Sequence, residues 1–434
     1  MAIESLPGLS DRTSIIRKGI SRRYAAERRF RMYGIAAIGF ALAFLLFLFS
    51  SIVSNGYTAF VQTSFKLDVS LDPDVIDPSG KRSEKDIRIA DYTLLARRAL
   101  AAQLGVNPND RPVMRDIRGL LSRDVDIQIR RVVEADPSLI GQTVPVWVLA
   151  HGQVDSLMKG QVDRALPASQ RRISDRQLEW LDKAEAEGFL AKRFNTGLFT
   201  NGASSSPETA GIGVAMVGSL FMMMTVVLLA VPLGVAAAVY LEEFAPKNVL
   251  TDTIEVNINN LAAVPSIVFG LLGLAIFINM AGLPRSASLV GGLVLTLMTL
   301  PTIIIATRAA LKAVPPSIRE AAMGVGASPI QVVFHHVLPL AIPGIMTGTI
   351  IGMARALGET APLLMIGMRA FTTTPPDGLT DPATVLPVQI FLWSDEVNRG
   401  FVEKTSAAII VLLVFLLTMN AIAVYLRNRF ETRW

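Results

Sequence analysis

The chain has 434 residues, of which 51% are hydrophobic and only 18% are charged, so its composition disfavours an ordinary soluble protein and favours a membrane protein. The formal net charge is +5, but the basic residues form no single patch interleaved with aromatic residues, so nucleic-acid binding is not expected. Cysteine is absent, which excludes disulfides and thiolate metal sites. With three histidines in all, no metal site is expected.

Six apolar stretches are long enough to cross a bilayer, whose core of about 30 Å requires roughly 20 residues in a helix. They lie at about 33–54, 210–240, 256–283, 286–307, 337–368 and 405–426. Because backbone in lipid must satisfy its own hydrogen bonds, all six are predicted to be α-helices. Pro232 and Pro265 predict kinks or breaks in the second and third spans.

Lysine and arginine residues predict the orientation of these spans, since short cytoplasmic flanks are enriched in them. Eight precede the first span, at Arg12, Arg17, Lys18, Arg22, Arg23, Arg28, Arg29 and Arg31. We therefore interpret residues 1–32 as a basic cytoplasmic tail, and 33–54 as a retained anchor that is too long for a signal peptide. Six spans return the C-terminus to the cytoplasm, where Arg427, Arg429 and Arg433 lie.

A polar segment at about 55–206 separates the first span from the second and is predicted to lie outside the cytoplasm. Apolar residues alternate at 65–71 and again at 125–129, which is typical of strands. Helices are predicted at 91–104 and 175–187, each followed by glycine. These patterns predict an α/β domain.

The segment from Asn201 to Pro207 is rich in small and polar residues and is interpreted as the exit linker of this domain. The remaining residues, 207–434, are predicted to form the main transmembrane domain.

Motifs for enzymatic chemistry are missing from the sequence. It contains no G-x-x-x-x-G-K-[ST] loop, no H-E-x-x-H and no G-x-S-x-G, and its carboxylates show no spacing that marks a hydrolytic pair. We therefore do not expect an enzyme. If the chain transports a solute actively, the energy must come from an ion gradient or from a separate protein.

The connection after the fourth span resembles the signature loop of ABC importer permeases. Six residues match the motif, namely Glu320, Ala321, Ala322, Gly326, Leu338 and Pro339, whereas His336 stands where the family usually has isoleucine. The resemblance implies a short helix that docks in a groove of a separate ATPase and transmits its closure to the spans.

The residue types in this loop suit docking. Small side chains at Ala321 and Ala322 allow close approach of a partner, and Gly326 permits a sharp exit from the helix. Glu320 is expected to interact favourably with the positive N-terminal end of that helix.

Two further motifs resemble those of phosphate-specific permeases of the PstA type. They are Val264-Pro-Ser-Ile-Val-Phe-Gly270 and Arg355-Ala-Leu-Gly-Glu-Thr-Ala-Pro-Leu363, in which Ala361 and Pro362 favour PstA over its sister subunit PstC. The resemblance covers about 208–434 and the first anchor. It implies an α-helical membrane protein with six transmembrane helices of ABC importer permease type, and an α/β extracytoplasmic insert between helices 1 and 2.

The same resemblance implies a location and a set of partners. The chain would be a multi-pass protein of the bacterial inner (plasma) membrane, with the domain at 55–206 in the periplasm. It would assemble in the lipid bilayer with a PstC-like sister permease and a PstB-like ATPase, and it would receive phosphate from a PstS-like binding protein. ATP would be used by the ATPase, and this chain would bind no cofactor.

Arg355 and Glu359 stand out as charges within the apolar fifth span. Charges at bilayer depth are costly and face a partner or a water-filled path. Four residues apart, the two can pair on one helical face, and arginine suits an oxyanion because its planar fork donates two hydrogen bonds. With Thr360 they form the predicted substrate path. The alternative is a structural ion pair that locks two helices together.

Two other features have simpler interpretations. Arg308, at the inner end of the fourth span, is a second candidate for the path, but snorkelling to the interface is the favoured interpretation. His335 and His336 are interpreted as an interfacial loop feature rather than a metal or proton site.

Other functions remain open at this level. The cargo could be another oxyanion such as molybdate or sulfate, which the third- and fifth-span motifs disfavour. An ion-coupled secondary carrier often shows inverted repeats, and none is visible here. A membrane sensor would need one anchor and the outer domain, which would leave five spans and the loop unexplained.

Overall fold

The computed structural model describes the backbone of residues 9–430 and the side chains of residues 20 and 23–429. Part of the predicted basic tail, residues 1–8, lies outside the described residues, and so do Arg433 and the side chains of Arg12, Arg17, Lys18 and Arg22. The chain divides into a unit that ends at Ser54 and a second unit that begins at Asn55.

In the described residues, the first unit is a single long helix, part of α1 (Leu9–Gly56). No proline interrupts it, and from Gly34 to Ser54 it carries no charged residue. Its large apolar side chains are exposed, Phe40 and Phe47 among them. A helix with this length and surface suits a lipid environment, which confirms the prediction that the first apolar stretch is helical.

The domain predicted at 55–206, called the outer domain after its predicted location, follows after a 3₁₀ turn at Tyr57–Phe60 and contains three strands and nine helices. In chain order these are β1 (Val61–Ser70), α2 (Pro73–Ile76), α3 (Glu84–Ile89), α4 (Tyr92–Leu104), α5 (Arg111–Arg118), α6 (Val125–Ala135), β2 (Thr143–Leu149), α7 (Gly152–Met158), α8 (Ala168–Arg171), α9 (Asp175–Ala186), β3 (Leu190–Phe194) and α10 (Gly197–Thr200). The strands form one antiparallel sheet in the order β2-β1-β3.

Alternation along β1 positions the core of this domain. Phe65, Leu67 and Val69 are at most 1% exposed and face the helices, while the residues between them point outward. Opposite them lies α4, which Asp91 caps at its start and Gly105, with φ +72°, ends. The strand predicted at 65–71 and the helix predicted at 91–104 are therefore confirmed.

The strand predicted at 125–129 is wrong, because this segment begins α6. Val125, Ile129 and Val133 are buried, whereas Ile127 is only partly buried. Buried residues four positions apart are typical of a helix. The window that contains Val125, Ile127 and Ile129 is too short to distinguish the period of a helix from that of a strand. The helix predicted at 175–187 is confirmed by α9, which Ser174 and Gln177 start with a capping box.

The predicted linker at 201–207 is irregular, as expected, but it is held in place. The N–H of Ala203 donates to the carbonyl of Thr372 at 2.9 Å, and a Cβ built on Gly202 would clash with that same oxygen. Glu208, just beyond, is only 5% exposed. The outer domain therefore continues into the membrane domain without a flexible joint.

The membrane domain consists of ten helices joined by short connections and π-helical turns. They are α11 (Gly213–Val239), α12 (Val249–Ala262), α13 (Ser266–Gly273), α14 (Ser288–Lys312), α15 (Pro316–Gly324), α16 (Pro329–Gln331), α17 (Leu338–Gly358), α18 (Ala361–Met365), α19 (Leu386–Ser394) and α20 (Gly400–Phe430). Within residues 9–430, five helices, α1 among them, are long and apolar enough to cross a membrane, and a bent pair brings the number to six.

The bent pair is the third predicted span. Helix α12 ends at Ala262, and α13 turns away from it by 102° before continuing through a π-helical segment to Met280. Pro265 caps α13 in an extended conformation, φ −56° and ψ 137°, and offers no N–H to a continuing helix. The predicted break is thus confirmed at Pro265, whereas Pro232 lies inside the uninterrupted α11.

Small residues bring α14 and α17 together. Gly344 and Gly348 on α17 face Ala306 and Ala310 on α14, and a Cβ added to Gly348 would clash with the Cβ of Ala306. Two rows of small residues four apart allow helix backbones to pack closely, which is how helices associate in lipid.

The fifth predicted span, 337–368, is shorter at its end than predicted. A continuous helix runs from Pro329 through a π-helical turn into α17 and ends at Gly358, after which α18 forms a separate short helix. His335 and His336 lie in this π-helical turn and are exposed, so they do not belong to a loop as predicted, and their position at the interface stays a prediction.

Candidate functional site

Helix α15 carries the loop motif and is bounded by residues that define its ends. Pro316 occupies the first helical position, where proline costs no hydrogen bond. Gly326, with φ +93°, turns the chain out of the helix, as predicted. Glu320 lies in the second turn, because the helix begins four residues before it. The predicted interaction with the N-terminal end of the helix is therefore wrong.

The helix presents one face outward. Glu320 and Ala321 are exposed, and Met323 and Val325 are 53% and 85% exposed beside them. Ala322 faces inward at 6% and belongs to an apolar cluster with Leu311, Val314 and Val333. Exposed apolar side chains grouped beside an acid suit a protein interface, because a partner that covers them removes their apolar surface from water.

Arg319 fastens α15 to the membrane helices. Its Nη2 lies 2.7 Å from the carboxylate of Glu243, in the π-helical turn that ends α11, and also donates to the carbonyl of Leu311 at 3.0 Å. Its Nη1 donates to the carbonyl of Val314 at 2.8 Å. One guanidinium thus joins the short helix to the ends of α11 and α14.

Arg308 makes a second connection of this kind. Its Nε donates to Glu242 at 3.2 Å, and its Nη2 pairs with Glu255 on α12. The side chain is 14% exposed. Arg308 is therefore held between two carboxylates and links the end of α11 with α12 and α14. Snorkelling to the interface stays a prediction.

Arg355 and Glu359 lie close together, as their spacing predicts. The distance from Arg355 Nε to Glu359 Oε1 is 3.6 Å, although Glu359 comes just after the last residue of α17. The Arg355 side chain is 44% exposed and Glu359 is 20% exposed. Thr360, beyond them, precedes α18, and its carbonyl accepts from the N–H of Leu364 at 3.0 Å.

The two motifs that resemble phosphate-specific permeases meet in the fold. A Cβ built on Gly270, the last residue of the third-span motif, would lie 2.7 Å from the Cα of Pro362 in the fifth-span motif. Glycine at 270 therefore allows α13 and α18 to touch. The break at Pro265 and the break after Gly358 place these two short helices side by side.

Sequence reasoning missed the carboxylates that anchor the loop. Glu242 and Glu243 directly follow the apolar residues of the second span. This position could have indicated them, because charged residues at the end of a span pair with neighbouring groups. Met323 and Val325 were missed as well, since burial in a loop cannot be read from periodicity. Within the described residues, no group of three histidine or acidic side chains could hold a metal ion.

Comparisons with known proteins match both parts of the chain. Residues 230–432 match the family described as binding-protein-dependent transport system inner membrane component, and residues 17–168 match a domain of unknown function, DUF3333.

Several curated relatives share the membrane part. A probable ABC transporter permease protein, YqgI of Bacillus subtilis (strain 168), is 33% identical over 204 residues, which cover 44% of this chain and 69% of YqgI. The phosphate transport system permease protein PstA of Yersinia pestis is 32% identical over 229 residues, 52% of this chain and 76% of the relative. PstA 2 of Mycobacterium tuberculosis (strain CDC 1551 / Oshkosh) is 34% identical over 238 residues, which cover 53% of this chain and 76% of the relative.

A solved structure of the MetNI methionine ABC transporter in inward-facing conformations also resembles the chain, with 17% identity and a TM-score of 0.41. The match covers 50% of this chain and 94% of that one.

Proposed function

The chain belongs to the family of binding-protein-dependent transport system inner membrane components, and from this premise we propose that it is the PstA-type permease subunit of an ATP-driven importer of inorganic phosphate. Permeases of this family work in the inner membrane with an ATPase and a substrate-binding protein. The cargo is inferred from the relatives named as phosphate transport permeases and from the motifs at Val264 and Arg355.

The observation that carries the proposal is the short helix α15, which presents Glu320, Met323 and Val325 outward. In this proposal an ATPase subunit docks on that face. Closure of the ATPase displaces α15, and the displacement reaches α11 through Arg319 and Glu243. Arg308 then carries it to α12, because its two carboxylate partners lie on different elements.

Arg355, Glu359 and Thr360 are proposed to line the phosphate path. The Arg355 guanidinium remains charged at any physiological pH, and 44% of its side chain is accessible in the isolated chain. A charge of this kind is costly against lipid, so its face belongs against a partner subunit or water. Glu359 competes for the same guanidinium, which keeps phosphate binding weak enough for release.

We assign both termini to the cytoplasm and residues 55–206 to the periplasm on the basis of the flanking charges. In this orientation α15 faces the ATPase and α18 lies near the outer surface, where a PstS-like protein would deliver phosphate. A PstC-like sister permease would complete the path.

The experiment is ATP-dependent uptake. The chain is co-purified with its sister permease and ATPase, reconstituted into proteoliposomes, and supplied with the binding protein and radiolabelled phosphate. We expect uptake only with ATP inside, and we expect excess sulfate or molybdate not to compete.

Two results would contradict the proposal. Uptake driven by an ion gradient without the ATPase would indicate a secondary carrier. Competition by sulfate or molybdate at concentrations similar to that of phosphate would indicate a different oxyanion as the natural cargo.

A further inference from the structure

The outer domain contains a basic cleft of about 560 Å³ that no membrane helix lines. Its walls come from the start of α4, the end of α5, the loop before α6 and the start of α7. The lining residues are Thr93, Arg97, Arg115, Arg118, Gly119, Leu121, Ser122, Arg123, Val125 and His151. Four of these ten are arginines, and none of the described residues that line the cleft is acidic.

Local structure brings these arginines together. Thr93 and Arg97 lie one turn apart on α4, and Arg115 and Arg118 lie one turn apart in the last turns of α5. An isolated bridge between Leu121 and Ala150 then brings the loop that carries Arg123 beside His151.

The arginines of the cleft are not neutralised by the protein. In the part of the chain that the structure describes, none of the four forms a salt bridge, although other arginines of the outer domain form seven there. The Nε of Arg97 is shielded from solvent and has no hydrogen-bond partner in the described chain. A buried donor without an acceptor is unfavourable, and like charges repel. An anion in the cleft would accept a hydrogen bond from Arg97 and would offset the repulsion among the arginines.

The cleft has the size and chemistry of a small-molecule site. Such sites are typically about 300–1,000 Å³ and carry a few convergent polar groups. Arginine forks match the geometry of phosphate and carboxylate oxygens, and several fixed positive charges favour a ligand with more than one negative charge. A phosphate group carries between one and two negative charges at neutral pH.

We propose that this cleft is a binding site for an anion that carries phosphate groups. The site lies wholly within residues 93–151, so it goes beyond the proposed transport function. Ser122 also donates to Glu208 at 3.1 Å, and Asp124 pairs with Thr209, so the loop that carries Arg123 touches the segment that leads into α11.

The test is calorimetric titration of the full chain in nanodiscs of zwitterionic phosphatidylcholine, at low salt and without ATP, with pyrophosphate, inorganic phosphate or acetate as the probe. The cleft variant carries Arg97→Gln and Arg118→Gln. A control variant with the same change in charge carries Arg88→Gln and Arg98→Gln, both exposed on the outer domain. A third variant, Arg355→Gln, removes the proposed path arginine.

We expect pyrophosphate to bind the wild type, the cleft variant to bind at least tenfold more weakly, and the control and Arg355→Gln variants to stay within twofold of the wild type. Acetate should bind at least tenfold more weakly than pyrophosphate. Absence of phosphate and pyrophosphate binding in the wild type, or equal binding by the cleft and control variants, would overturn the proposal.

Two further arms complete the test. Arg97→Lys with Arg118→Lys retains the charge and replaces the glutamine variant if that variant fails to fold. We expect its affinity for pyrophosphate to be at least threefold lower than that of the wild type, because lysine lacks the planar guanidinium that donates two parallel hydrogen bonds. Nanodiscs of anionic phosphatidylglycerol distinguish the two sources of a phosphate group. Loss of pyrophosphate binding there identifies a lipid headgroup as the ligand, and unchanged binding identifies a soluble anion.

Discussion

Arg355 is the residue on which the proposed phosphate path depends. Replacing it with glutamine removes the positive charge and the planar guanidinium group. Hydrogen bonds to charged groups contribute about 1.5–3 kcal/mol each. We therefore expect Arg355→Gln to lower phosphate uptake by about 10- to 100-fold, and Arg355→Lys to retain part of the activity because the charge remains. The measurement is initial uptake in proteoliposomes with matched amounts of assembled complex.

The control for this prediction is Arg285→Gln, which removes an exposed arginine from the connection before α14. Uptake by that variant should equal wild-type uptake. If Arg355→Gln also transports at the normal rate, Arg355 and Glu359 form a structural pair and the path lies elsewhere.

His151 makes the outer domain sensitive to acid. Burial lowers the pKa of this imidazole below its usual 6.5, Glu208 partly opposes the shift, and Arg123 adds to it. In addition, Nδ1 accepts a hydrogen bond from the N–H of Gln153 at 3.2 Å, which caps α7. The folded chain therefore binds this proton less readily than the unfolded chain.

The direction of the pH effect follows from this difference. Stability is fully present above the unfolded pKa, and it falls as the pH drops below about 6.5, because only the unfolded state then gains the proton. The loss levels off below the folded pKa. His151→Asn retains an acceptor for the cap but cannot titrate, so its unfolding temperature should fall less between pH 7 and pH 5.

Thermal unfolding of the detergent-solubilised full chain at several pH values measures this difference. Comparison with the wild type cancels the carboxylates that titrate in both proteins. Identical pH profiles for the two chains would show that His151 is not buried in the neutral form.

At the scale of single elements, α15 depends on Arg319 for its connection to the spans. Arg319→Gln keeps the exposed docking face but loses the ion pair with Glu243. We expect ATP hydrolysis by the assembled complex to continue while phosphate uptake falls about tenfold, because the displacement of α15 no longer reaches α11. Glu243→Gln should have the same effect.

Lys312→Gln is the matched control in this loop, since that side chain is 59% exposed and lies 3.5 Å from Glu242. Exposed pairs contribute little, so uptake should remain normal. Parallel loss of hydrolysis and uptake in Arg319→Gln, with less ATPase subunit bound, would indicate a role in docking and contradict one in transmission.

Elements with a strong local signal could be predicted from the sequence. Helix α4 has a capping aspartate, an apolar face and a final glycine, and its bounds agree with the prediction to within one residue. The segment at 125–129 was mistaken for a strand because the residue that decides its period, Val133, lies beyond the window. Pro265 predicted a break, but the 102° angle depends on how α13 packs against α18.

The candidate sites also contain residues that could be predicted from the sequence and residues that could not. Glu320, Gly326 and Arg355 were predictable because their residue types and spacing form motifs. Their anchors were not, since Arg319–Glu243 and Arg308–Glu255 join residues 76 and 53 positions apart. The basic cleft was also invisible, because its lining comes from four separate parts of the outer domain.

At the scale of the whole molecule, a buried ionic cluster joins the outer domain to the last membrane helix. Lys159, at the end of α7, lies 2.6 Å from Asp155 and 2.8 Å from Glu403 in the first turn of α20. Glu403 also accepts from Thr58 and Gln161, at 2.7 and 2.6 Å. Because all three charged side chains are at most 8% exposed, the outer domain and α20 are expected to move as one body.

Lys159→Met tests this junction. The substitution removes the ammonium that directly contacts both buried carboxylates, and breaking a buried pair costs about 3–5 kcal/mol. We expect a marked drop in the unfolding temperature of the full chain in detergent. Lys183→Met is the control: its pair with Glu187 spans 3.8 Å and is about half exposed, and its Nζ also donates to the carbonyl of Leu104 at 2.8 Å. Because these contacts are partly solvated, the unfolding temperature should fall less than in Lys159→Met.

A compensating variant separates charge from packing at the same place. Adding Asp155→Asn and Glu403→Gln to Lys159→Met removes the stranded charges. The new amide oxygen can still accept from the N–H of Thr63, as the carboxylate of Asp155 does at 2.8 Å. Part of the lost stability should therefore return, while the buried Lys404 loses Glu403 as a neighbouring carboxylate. If Lys159→Met and Lys183→Met instead unfold at the same temperature, the cluster does not hold the outer domain to α20, and the two parts are free to move separately during transport.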